Sequence, residues 1–73
     1  MNAKQVDIIL SKAKKPSVLD VVTDTMTTTI RDFKTYEVSQ LDKLLSLSLE
    51  NGRILFIDTQ QITMLNVEID PNL

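Results

Sequence analysis

The chain is expected to be an α+β protein: an N-terminal helix followed by a five-stranded, antiparallel, strongly bent sheet or small barrel. Three observations predict this. Apolar residues recur at helical spacing before Pro16. β-Branched residues crowd the stretch that follows. An Asn51-Gly52 pair then stands between two alternating apolar runs, which marks a hairpin.

The helix is expected over about residues 3–15. Val6, Ile9, Leu10 and Ala13 fall on one helical face, with Ile8 beside the stripe. Asn2 is a suitable N-cap and Gln5 stands three residues on, a variant of the capping box. Lys12, Lys14 and Lys15 sit where the negative end of the helix macrodipole favours cations. Pro16 lacks a backbone donor and pushes Lys15 out of the helical region, so the helix must stop there.

Strands are expected at about 18–23, 26–38, 44–50, 53–59 and 64–69. The first two share a run of valines and threonines too long for one ordinary strand, with Asp24-Thr25 as the break. A single bent ribbon without the break is the competing arrangement. A two-residue turn at Asn51-Gly52 would place Leu49 opposite Ile54, Leu47 opposite Phe56 and Leu45 opposite Asp58. Leu45, Leu47, Leu49, Ile54 and Phe56 would then form one apolar face, and Phe33 and Phe56 would be core. Leu55 and Ile57 would point the other way, which makes them candidates for an oligomer interface. Gln60-Gln61-Ile62 is a short connector with room for one tight helical turn. Leu65, Val67 and Ile69 alternate with polar partners up to Pro71. No second domain is visible, so residues 1–73 are taken as one.

Composition narrows the chemistry. A chain of 73 residues lies near the lower limit for a self-sufficient core, and such domains usually need a staple. With no cysteine and no histidine, disulfides and thiolate or imidazole metal sites are excluded. Self-association is the staple that remains, and a homo-oligomer is expected. The commonest general acid/base and the most reactive nucleophile are both missing, so the chain is not expected to be an enzyme or to carry a cofactor. Residues 1–16 are locally basic, whereas the body is acidic, leaving a net charge of −2. That balance lacks the basic stripe of a duplex-binding protein. No apolar run approaches a membrane span and no signal-peptide stretch opens the chain, so no membrane partner and a cytoplasmic location are expected.

Candidate contact residues follow from residue type. Asp58, Thr59, Gln60 and Gln61 form a polar tetrad able to hydrogen-bond a small ligand, although ordinary turn residues look the same. Asp58 is either at a barrel mouth or bonded to backbone and water. Tyr36 is the only tyrosine and either stacks on a ring or packs with its hydroxyl at the surface. Lys12, Lys14 and Lys15 are candidates for phosphate contact, beside their plainer role at a helix end.

Thr29-Ile30-Arg31-Asp32-Phe33 and Arg53-Ile54-Leu55-Phe56-Ile57, followed by Ile62 and Val67, carry a resemblance to the Sm-like family. That family is a small SH3-like barrel that assembles into rings and binds RNA. The resemblance implies the barrel and the ring. The family's RNA motifs are not kept: Lys34 and Val38 replace an Asp and an Asn, and Asp58-Thr59 replaces Arg-Gly. A carboxylate there repels phosphate. Two functions are therefore expected in order: a regulatory or inhibitory binding protein, of the size common among phage- and plasmid-borne inhibitors, that sequesters a small ligand or blocks a protein; or an RNA-binding ring.

Overall fold

The computed structural model describes residues 1–13 and 16–69. Helix α1 spans Ala3–Lys12 and opens with a full capping box. Asn2 Oδ1 accepts from the Gln5 N–H at 2.8 Å, and Gln5 Oε1 accepts in return from the Asn2 N–H at 3.4 Å. Val6 and Leu10 are buried while Ile8 stays exposed, so the buried stripe is narrower than the sequence suggests. The helix is also shorter. The Ala13 N–H donates to the Leu10 carbonyl at 3.2 Å, a tight i→i−3 bond that closes the last turn before Lys14. Lys14 and Lys15 lie outside the described residues.

Among the described residues six strands follow, not five. They are β1 (Pro16–Thr23), β2 (Thr27–Ile30), β3 (Phe33–Ser39), β4 (Leu44–Leu49), β5 (Ile54–Asp58) and β6 (Ile62–Ile69). A 3-10 turn, η1 (Thr59–Gln61), links β5 to β6. The break at Asp24-Thr25 is present, since the Thr23 N–H donates to the Met26 carbonyl at 2.9 Å across a two-residue turn. The expected strand over 26–38 is interrupted at Arg31-Asp32, and its halves join different sheets. A register shift between Phe33 and Thr35 bends the chain there, as bulges do. The Asp32 carbonyl accepts from the Glu50 N–H at 2.9 Å, tying this corner to the β4–β5 loop.

The strands form two antiparallel sheets, ordered β2-β1-β6 and β3-β4-β5. Leu19, Val21 and Ile30 from the first meet Leu45, Leu47 and Leu49 from the second, with Ile62, Val6 and Leu10 completing the core. Thr28, Leu65 and Val67 share the inward side of the first sheet by register with Val21 and Leu19.

One expectation about the β4–β5 hairpin fails. The turn contains Glu50, Asn51 and Gly52, a three-residue loop. The Gly52 N–H donates to the Leu49 carbonyl at 3.1 Å, and the Leu49 N–H donates to the Arg53 carbonyl at 2.9 Å. Of these three residues only Gly52 takes a positive φ, +85°, so this is a tight turn followed by a left-handed glycine. One extra loop residue moves the register by one. Leu47 faces Leu55, Leu45 faces Ile57, Ser46 faces Phe56 and Leu44 faces Asp58. Leu55 and Ile57 therefore point into the core and are half-buried, whereas Ile54 and Phe56 point outward. Phe56 is 65% exposed, so it is not a core residue.

Candidate functional site

The site begins at Thr59, which is fully buried. Its N–H and its hydroxyl both donate to the Lys43 carbonyl, at 2.9 and 3.2 Å, and its own carbonyl accepts from the Met1 nitrogen at 3.2 Å. Met1 N also donates to the Ile62 carbonyl at 2.6 Å. Thr59 thus knots together the start of α1, the β3–β4 turn and η1. Its polar groups are spent on that task, so it shapes a wall and offers no free donor.

Above the knot lies an open cleft of about 570 Å³, lined by Asn2, Lys4, Gln40, Lys43 and Gln60 among others. They arrive from three separate segments. Asn2 and Lys4 come from the helix start. Gln40 and Lys43 come from the β3–β4 turn, where Lys43 adopts a left-handed φ of 54°. That turn is held by Ser39, whose hydroxyl donates to Asp42 Oδ2 and accepts from the Asp42 N–H, both at 3.1 Å. Leu41 stands at its tip, 91% exposed.

The charge of the cleft is opposite to that of the chain. Two lysines and three carboxamides line it, and no carboxylate is among its lining residues. Nearby acids are turned elsewhere: Asp42 to Ser39, and Asp58 to the Gln60 N–H at 2.9 Å, where it caps η1. Such a lining suits an anionic or amide-bearing ligand.

Of the residues singled out from sequence, Thr59 and Gln60 line this cleft, and Gln61 is exposed outside its lining. Asp58 is the backbone-bonded cap described above. Tyr36 points elsewhere, to α1. Its hydroxyl donates to Asp7 Oδ1 at 3.2 Å, fastening helix to sheet. Burial pushes its phenol above the ordinary 10.0, helped by that hydrogen bond and by the Asp7 charge. Lys12 is exposed in the last helical turn, about 12 Å along the axis from Lys4. Sequence reasoning missed Lys4, Gln40 and Lys43, because nothing local shows that three separated segments meet at Thr59.

A second feature is the outward face of the β3-β4-β5 sheet. Register and strand alternation place Thr35, Ser48 and Ile54 in one row and Glu37, Ser46 and Phe56 in the next. A shallow trough of about 380 Å³ runs over the serines. Comparison of the chain with family models, curated proteins and solved structures finds no match.

Proposed function

We propose that this chain is a non-catalytic binding protein, regulatory or inhibitory in role, that works as a homo-oligomer. The observation that carries the reading is an unguarded pair of sheet edges. β5 ends one sheet and β6 ends the other. Exposed edges in native proteins are usually blunted by lysine, proline or bulges. β5, Ile-Leu-Phe-Ile-Asp, holds no lysine, arginine or proline and pairs without a register shift; β6 also lacks those residues, and its one bulge, at Thr63, lies at its start, away from Leu65 and Val67. The inward residues of both edges, Leu55 and Ile57 on β5 and Leu65 and Val67 on β6, are only partly buried. A β5 edge pairing with the β6 edge of a second copy would satisfy free backbone groups and cover both apolar pairs. Because the two patches differ, the contact is heterologous, and a ring forms where the rotation between successive copies closes. The Sm-like resemblance in sequence favours such a ring.

Leu55→Asp tests the reading. It places a charge on the half-buried inward side of the pairing strand and should split the assembly in sedimentation equilibrium, with circular dichroism distinguishing dissociation from unfolding. An assembly of unchanged mass contradicts edge pairing at β5.

The carboxylate-free cleft favours one further reading, that the assembly binds RNA through phosphate contacts from Lys4 and Lys43. Affinity for a short single-stranded RNA should then fall steeply with salt. The double change Lys4→Gln and Lys43→Gln should weaken binding at every sequence tested and flatten the salt slope by about 1–2. Affinity indifferent to salt and to both lysines excludes RNA at the cleft and leaves a protein or small-molecule partner.

A further inference from the structure

The outward face of the β3-β4-β5 sheet carries an unusual combination of side chains. Its middle strand offers Ser46 and Ser48 between the rows that flank them, with Leu44 following in the row of Ser39 and Asp58. On one flank stands the exposed carboxylate of Glu37, and on the other the Phe56 ring, with Ile54 beside it. Asp58 follows on the same side of β5 by alternation. No lysine or arginine shares the two rows. Lys34 and Arg53 lie toward the opposite end, near the Ile54 row.

The spacing gives the trough a definite chemistry. Glu37 and Phe56 both pair with Ser46, so they are separated by two strand spacings, about 9.6 Å. A group lying over the small Ser46 is therefore about 5 Å from each flank, inside the range of cation–π attraction. A planar guanidinium fits there best. It stacks on an aromatic face, donates a forked pair of bonds to a carboxylate, and sheds water more easily than an ammonium. The serine hydroxyls beneath it can accept from the remaining N–H groups.

We infer that this face docks an arginine side chain of an extended partner segment, with the guanidinium over Ser46 between Glu37 and Phe56 and an apolar neighbour against Ile54. Charge complementarity selects the occupant: an acidic and aromatic trough on an acidic chain takes a basic, partly apolar peptide. Ile54 and Phe56 lie on β5, but their side chains leave the outward face and not the strand's hydrogen-bonding edge, so arginine docking and self-association are tested by different variants.

The test is an NMR titration of the isotope-labelled full chain with a blocked tripeptide carrying arginine between two leucines. The same peptide with citrulline keeps the shape and removes the charge. The arginine peptide should shift the amides of Glu37, Ser46 and Phe56, and the citrulline peptide should bind much more weakly. Phe56→Leu and Glu37→Gln alter exposed side chains and should leave the thermal melt in place. Each should weaken the arginine peptide by about two- to fivefold. Equal binding of the citrulline peptide overturns the inference. So do shifts confined to the β5 edge or to the Lys4–Lys43 cleft, and so does the absence of shifts at about 1 mM peptide.

Discussion

Leu45 and Leu47 on β4, and Leu19 and Val21 on β1, are sealed on every side, whereas Leu55 and Ile57 on β5 and Leu65 and Val67 on β6 point toward the same core and keep surface in water. Both sets are aliphatic. What differs is position: β1 and β4 each have a strand on either side, and β5 and β6 have one. In a chain this short the sheet margins are a large share of the apolar surface, so a second copy is the simplest way to bury them. The centre accounts for folding, and the margins account for the proposed assembly.

The largest break in that comparison should come at the centre. Leu47→Ala removes a fully buried side chain where neighbours on both strands cannot close the gap. A loss of about 2–5 kcal/mol is expected. For a domain of this size that is a large share of its stability, and urea unfolding should show a much lowered midpoint. The margin responds differently. Leu55→Asp should act first on assembly mass, and its effect on unfolding should depend on protein concentration, which the effect of Leu47→Ala should not.

A smaller prediction concerns the fastening of helix to sheet. Tyr36→Phe deletes the bond to Asp7 and should cost about 0.5–1.5 kcal/mol at neutral pH. The sign of its pH dependence follows from the raised phenol. The folded state holds the Tyr36 proton more tightly than the unfolded chain does. Its contribution is complete below pH 10.0 and is lost as pH rises through the higher folded value. Thermal melts of the two proteins should therefore converge at high pH; a gap that stays constant would show that the proton on Tyr36 does not matter to the fold.

Sequence reveals these features unevenly. The helix was legible because Val6 and Leu10 repeat at helical spacing and Asn2 and Gln5 form their box locally. Asn51-Gly52 announced a hairpin but not its length, because two- and three-residue loops both accept a glycine at positive φ. That single residue decides whether Phe56 packs inside or stands in water. A bent second strand could be anticipated, yet not that it breaks at Arg31-Asp32 with its two arms in separate sheets, since sheet membership is a long-range property. The cleft was least legible. It is assembled around Thr59 from three segments, and its lysines follow from backbone proximity and not from any motif.

Native mass spectrometry of the unmodified protein tests the claim of edge-driven assembly most directly. The account predicts a closed species at a multiple of 8.3 kDa, collapsing to the single chain when Leu55 is changed to Asp. A bare 8.3 kDa species from the unmodified protein would contradict it.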